Sequence, residues 1–418
     1  MAEEPHPSWD HEGAEYEDPT ARFQGRPHAT SIAVKAFGAH ISDAQVASNA
    51  PIEDRLVVEQ DAQHIFAAVY DGHGGTKTSS YLAAHFYPQL RARLEAGEDV
   101  EAAFKAAVPA ADAAYTAKAK ERKDWSMLFT GSCLIAAYVD KQKLGVYVAN
   151  CGDSRAVIGS EEPESGILCA TAISWDHSAG SDYEKFRVRC EFEGQAAVIR
   201  ETWDEMCFEY AYRVKDFARF TRSIGDVQLK DPACAKKFNS LQSQIQILPL
   251  PGTELTTPYI SNEPAVHYHQ LHRRDKFMVI ASDGLWDEMS SDQVVHVTGH
   301  LIATLGKHAD ISAALLGFCK RKIVERLLLE EPDEGIESVA DLDALPAGKD
   351  GRRGLMDDIS IVVLVFEDEN VTELPAAVEV AKAPVARRSR LSSKAWHAAH
   401  DEVGEKLEAD PDSDAAGA

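Results

Sequence analysis

The stretch Ile65-Phe66-Ala67-Ala68-Val69-Tyr70-Asp71-Gly72-His73-Gly74-Gly75 reads as a buried strand that delivers a carboxylate to its end. Six apolar residues with β-branched and aromatic members, closed by a Gly-rich turn, favour strand over helix. Asp71 then stands where a core fixes it. Gly74 and Gly75 let the chain turn sharply, and the segment after them carries Leu82, Phe86, Leu90 and Leu94 at i+4 steps, one apolar helix face to cover a sheet. An isolated Asp-Gly is usually a plain turn. Asp-Gly-His-Gly-Gly after a strand sets a hard anionic oxygen two residues from a titratable imidazole, which is what metal-assisted hydrolysis needs.

The arrangement of strand then acid recurs along the chain. Lys276 to Ser282 is a second buried strand, ending in Asp283-Gly284-Leu285-Trp286-Asp287, and Met356-Asp357-Asp358 precedes a third at Ile359 to Phe366. Gly131 to Val139 and Leu144 to Asn150 read as an antiparallel hairpin whose far strand leads into Cys151-Gly152-Asp153-Ser154-Arg155. Upstream, Asn49-Ala50-Pro51-Ile52-Glu53-Asp54-Arg55 precedes an apolar run, and in a strand Glu53 and Asp54 would face opposite ways. Arg222-Ser223-Ile224-Gly225-Asp226 again puts Asp after Gly, whereas Trp175-Asp176-His177 reads as loop.

Helices are expected over Val100 to Lys120, with a break or kink at Pro109, over Ser291 to Leu305 with Ser290 or Ser291 as N-cap, and over Asp310 to Leu329. Residues 231–258 and 331–353 read as loops, and 182–219 is too weakly periodic to assign. Antiparallel strands with helices grouped apart from them predict an α+β fold, two packed antiparallel β-sheets flanked by helices on both sides. Residues 1–28, acidic and rich in Pro and Gly, read as a flexible lead-in to a catalytic domain over 29–367. Residues 368–418, with a basic block around Arg387 and an acidic end, read as a disordered charged tail.

Composition narrows the function classes. With 43 Lys and Arg against 68 Asp and Glu, the formal charge is −25, the wrong sign for a nucleic-acid groove or an anionic membrane surface. No apolar run approaches the ~18 residues of a membrane helix. Met1 to Asp18 has seven acids and no Lys or Arg, unlike a secretory or transit segment. The seven cysteines form no Cys-x-x-Cys, so neither a disulfide framework nor a zinc site is expected, and a reducing, cytoplasmic setting fits.

Glu53, Asp54, Asp71, Asp283, Asp287, Asp357 and Asp358 all border apolar runs, and buried carboxylates cluster only where cations offset their repulsion. Oxygen ligands without Cys suit Mg²⁺ or Mn²⁺. In order, Glu-Asp, Asp-Gly-His-Gly-Gly, Gly-Ser-Cys, Ala-Asn-Cys-Gly-Asp-Ser-Arg-Ala-Val, Arg-Ser-Ile-Gly-Asp, Ser-Asp-Gly-Leu-Trp-Asp and Asp-Asp-Ile-Ser resemble the metal-dependent protein serine/threonine phosphatases of type 2C. That resemblance implies hydrolysis of phosphoserine and phosphothreonine in a phosphoprotein by a hydroxide bridging two Mg²⁺ or Mn²⁺ ions. It assigns Asp71, the Gly72 carbonyl, Asp283 and Asp357 to the metals, with Glu53 and Asp54 on the water shell or second ion. Asp153 and Asp287 match a weaker third metal position, and His73 matches the general acid.

Asn49 to Arg55, Pro258 to Val266 and the long loop before Asp357 are similar to the pyruvate dehydrogenase phosphatase branch, which would imply a mitochondrial matrix location, though no transit peptide is visible. Many family members place a phosphate-holding arginine four residues before the Glu of Glu-Asp. Here that position is Asn49, which leaves Asn49 and Arg55 as the residues near the substrate phosphate. The alternative of another class is a catalytically inactive pseudophosphatase serving as a binding module. Retention of every metal-site carboxylate weighs against it.

Overall fold

Alternation explains why the opening run is continuously apolar. In the computed structural model, which describes residues 37–192, 198–204, 209–241, 247, 256–349 and 351–367, strand β3 (His64–His73) is buried on both faces. Ile65, Ala67 and Val69 point into a core between two sheets, while Phe66, Ala68 and Tyr70 point at helices. These residues all lie in the first of two units into which the chain divides, residues 1–372. The expectations for 1–28 and 368–418 fall outside the described residues.

The strands in chain order are β1 (Ala39–Val46), β2 (Arg55–Gln60), β3, β4 (Gly131–Asp140), β5 (Gly145–Cys151), β6 (Arg155–Glu161), β7 (Leu168–Ala172), β8 (Ile199–Asp204), β9 (Glu209–Val214), β10 (Ile224–Gly225), β11 (Ala265–Gln270), β12 (Asp275–Ala281) and β13 (Ile359–Phe366). One sheet runs β1-β13-β12-β6-β7 and the other β11-β5-β4-β3-β2, with β10 paired to β4 and β8-β9 standing apart. Every pairing is antiparallel. Between the sheets, Ile65, Val69 and Ile135 meet Ile158, Ile280 and Val362.

Helices cover the outer faces. On one, α1 (Lys77–Glu95) and α2 (Val100–Arg122) bury Leu82, Phe86, Leu90 and Phe104 against Phe66 and Tyr70. On the other, helices Ser291–Leu305 and Ile311–Glu330 place Val294, Val295, Ile311 and Leu315 on Phe277 and Val279. The predicted four-layer α+β sandwich is thus present. Ser290 caps the first of those two helices with Gln293 in a reciprocal pair.

Local departures have local reasons. The helix expected to break at Pro109 runs through it, because Asp99 caps its start and Ala103, Phe104, Ala107, Val108 and Ala111 are buried along it. Glu53 and Asp54 lie in a loop rather than in a strand, since β2 begins at Arg55. β3 continues through Gly72 and His73, where a turn was expected. A Cβ at Gly72 would run into the Glu53 carbonyl, so glycine is what lets strand and loop touch. A short helix, α3 (Trp125–Leu128), precedes β4, and the segments 231–258 and 331–353, expected as loops, contain the helices Pro232–Leu241 and Val339–Ala344.

The unassigned 182–219 segment forms α4 (Asp182–Glu191) and the β8-β9 hairpin. Its anchor is Glu184, fully buried, which accepts from Arg222 Nη2 at 2.6 Å, from Arg187 Nε at 3.0 Å and from the Thr221 hydroxyl. Burial opposes the charge, but Arg222 and Arg187 hold Glu184 down from 4.5 to about 2. A depressed carboxylate contributes stability above its unfolded pKa and loses it as pH falls through the folded one. Glu184→Gln is therefore expected to cost roughly 3–5 kcal/mol at pH 7 by stranding a buried guanidinium. The difference from wild type should shrink between pH 4.5 and about 2, as checked by urea unfolding across that range.

Candidate active site

Three strand ends and one loop converge. Asp71 comes from β3, Asp153 from the turn after β5, and Asp283 from the start of the short helix Asp283–Trp286, directly after β12. One carboxylate oxygen from each lies within 4.8 Å of the others. Asp153, assigned by resemblance to a weaker third site, thus sits directly with Asp71 and Asp283. Asp287 follows at the end of the same turn of helix.

The electrostatics match three acids forced together. Burial pushes Asp71 and Asp283 well above the usual carboxylate range, and each is raised further by its acidic neighbours, Asp71 by Asp283 first and Asp283 by Asp153 first. Burial likewise raises Asp153, takes Asp54 up to about 7 and takes Asp287 up to about 6. Burial also raises Glu53. Asp54 is 1% exposed, and its Oδ2 has no hydrogen-bond partner among the described residues. An orphaned carboxylate oxygen beside mutually repelling acids fits a hard divalent cation, which would relieve both. Cys133 Sγ donates to Asp153 Oδ1 at 3.1 Å, and burial keeps the thiol protonated, so the donor set is oxygen alone.

Asp357 and Asp358 have separate roles. Arg353 Nη1 donates to Asp357 Oδ1, four residues on. Asp358 is a staple: it accepts from Ser48 N at 2.6 Å, Asn49 N at 2.8 Å, Glu53 N at 2.8 Å and Asn49 Nδ2 at 3.1 Å. It closes the loop that carries Glu53 and Asp54. Asn49 is therefore engaged with Asp358, and Arg55 Nη1 folds back onto the carbonyls of Ile52 at 2.8 Å and Asp54 at 2.6 Å. Trp175-Asp176-His177 is structural as expected: Asp176 takes Arg155, and His177 Nδ1 accepts from Gly152 N at 3.1 Å.

His73 ends β3 opposite Gly131, and its Nε2 is 2.7 Å from Asp226 Oδ2. In the sequence Asp226 stands out only as one more Gly-Asp. It is fully buried, adopts a left-handed φ of 48°, and is fixed by Ser223 Oγ at 2.7 Å, Gln228 Nε2 at 3.2 Å and its own N–H to the Thr130 carbonyl at 3.0 Å. A Cβ at Gly131 would collide with both Asp226 and His73, so glycine there is what admits the pair. Burial alone would push the imidazole down, yet the Asp226 charge and hydrogen bond, with Asp153 and Glu53 behind, hold it above its ordinary value. The Phe220 ring lies 4.5 Å from it.

A two-sheet sandwich with buried acids gathered at the strand ends and a carboxylate-bound imidazole beside them is an arrangement suited to metal-assisted hydrolysis. A family model described as Protein phosphatase 2C matches residues 28–326. Probable protein phosphatase 2C 72 of Oryza sativa subsp. japonica is 29% identical over 350 residues, covering 79% of this chain and 80% of its own length. Probable protein phosphatase 2C 68 of Arabidopsis thaliana is 30% identical over 340 residues, with 80% and 79% covered. Among solved structures, a serine-threonine phosphatase 2C from Toxoplasma gondii aligns with a TM-score of 0.54 at 18% identity, over 80% of this chain and 96% of that one. A C. elegans sex determining protein aligns with a TM-score of 0.53 at 19% identity, over 78% of this chain and 65% of that one, just under two thirds of its length. At such identities the two structures speak for the fold alone. The chain belongs to the protein phosphatase 2C family, and its enzyme class is protein serine/threonine phosphatase. These relatives carry only the general family name, so the pyruvate dehydrogenase phosphatase branch stands as an expectation from sequence. Among the described residues, no helix is long and apolar enough to cross a membrane.

Proposed function

We propose that this phosphatase hydrolyses phosphoserine and phosphothreonine in proteins with two divalent ions, Mg²⁺ or Mn²⁺, and His73 as general acid. The observation that carries the reading is the convergence of Asp71, Asp153 and Asp283 beside an imidazole bound to Asp226. These three acids, with Glu53, Asp54, Asp287 and Asp357 around them, would hold the ions. Once bound, the ions supply an activated water and draw charge from the phosphate.

The chain's own residues do the rest. Asp226 occupies His73 Nε2, which leaves Nδ1 without a hydrogen-bond partner among the described residues. The imidazolium donates that Nδ1 proton to the serine or threonine oxygen as its bond to phosphorus breaks, and the neutral ring recovers a proton from water. Phe220 covers the ring and limits its motion. Asp358 keeps the Glu53–Asp54 loop in place.

Purified protein should release phosphate from a phosphothreonine peptide with Mn²⁺ and none with a chelator. No release under either condition would place the chain among pseudophosphatases.

A further inference from the structure

Where the family usually places a phosphate-holding arginine this chain has Asn49, and both Asn49 and the Nη1 of Arg55 are already engaged. The Asn49 amide is engaged with Asp358, and Arg55 Nη1 with two carbonyls of its own loop. A phosphate dianion approaching this many acids needs a cation of the protein as well as the ions.

Arg353 is placed to be that cation. It lies in the 3₁₀ turn Arg352–Gly354 just before Asp357, with its side chain 29% exposed. One edge of the guanidinium meets Asp357, whose charge reaches Asp71 and Asp283, and Glu53 and Asp358 also lie within its electrostatic reach. Its Nε and Nη2 have no hydrogen-bond partner among the described residues. The turn is tied to the loop bearing Glu53 and Asp54, since Arg353 N donates to the Gly348 carbonyl at 3.2 Å and Gly348 N to the Ser48 carbonyl at 2.6 Å. The guanidinium is therefore fixed at the rim of the acid cluster with one edge open.

We propose that Arg353 binds the phosphate group of the substrate, taking the part that Asn49 cannot. The proposal rests on the phosphatase reading above. A planar fork whose Nε–Nη2 edge is free can take two phosphate oxygens at once, which a lysine ammonium cannot do. Asp357 orients the fork from behind. The competing role is that Arg353 merely holds Asp357 for the metal.

Inorganic phosphate, the reaction product, separates these roles by calorimetry on the full chain at saturating Mn²⁺, with Mn²⁺ binding measured separately. Arg353→Ala should weaken phosphate binding by roughly tenfold or more, the size of one charge-assisted contact. KM for a small aryl phosphate should rise in step while kcat changes little, and Arg353→Lys should recover part of the loss. Mn²⁺ affinity should hold or improve, because a cation competing for Asp357 is gone. Unchanged phosphate affinity in Arg353→Ala, or a loss that only follows weakened Mn²⁺ binding, overturns the proposal, as does a larger loss in Arg55→Ala. Wild type that neither binds phosphate nor releases it from a phosphopeptide instead overturns the phosphatase reading, and this one with it.

Discussion

Asp71→Asn and Asp283→Asn should each lower phosphopeptide turnover by roughly a hundredfold or more, since several kcal/mol of charge compensation is lost at about 1.4 kcal/mol per decade. Stability should move the other way without metal. In the metal-free protein each acid is raised by burial first and by its acidic neighbours next, so replacing one with a neutral amide relieves both costs and should raise Tm. With metal the sign reverses: an ion at a hundred times its Kd stabilises wild type by about 2.7 kcal/mol, and the variants should forgo most of that gain. Thermal melts with and without Mn²⁺ read both effects. Variants melting like wild type in both conditions would remove these acids from the metal site.

His73→Ala should slow a phosphothreonine peptide by roughly 10²–10⁴-fold, the usual contribution of a positioned acid. An alkoxide leaves poorly without a proton, whereas a nitrophenolate leaves readily, so the same variant should slow an aryl phosphate far less. Asp226→Asn should show the same selectivity in weaker form, because it removes the charge that keeps the imidazole protonated. Burial then prevails, and the imidazole should titrate at lower pH than in wild type. The alkaline limb of phosphopeptide turnover should shift down with it, and NMR titration of the ring in the metal-free protein checks the direction independently. Equal losses on both substrates would rule out the acid role.

How much of this was legible in the sequence depends on how local each feature is. β3, β12 and β13 could be read because burial on both faces makes a strand continuously apolar, and the acids stand out beside the runs, Asp71 and Asp283 following β3's and β12's and Asp357 and Asp358 preceding β13's. That Asp71, Asp153 and Asp283 meet could not be read, since their proximity depends on two sheets stacking in register. Asp226 carried a signal, a Gly-Asp at the end of Arg222-Ser223-Ile224-Gly225-Asp226, but its meaning lies in a left-handed turn that fits against Gly131, 95 positions earlier in β4. Arg353 also left a trace, four residues before Asp357, hidden inside a loop whose geometry is set by contacts to Ser48. The 182–219 segment gave least, because its anchor is one buried ion pair rather than a periodic face.

The most direct test is anomalous scattering from crystals grown with Mn²⁺. Strong peaks bounded by Asp71, Asp153 and Asp283 are expected, with Asp54 on the water shell or on an ion, and they should disappear in Asp283→Asn. Crystals holding Mn²⁺ elsewhere on the surface, with none among these three acids, would contradict this placement.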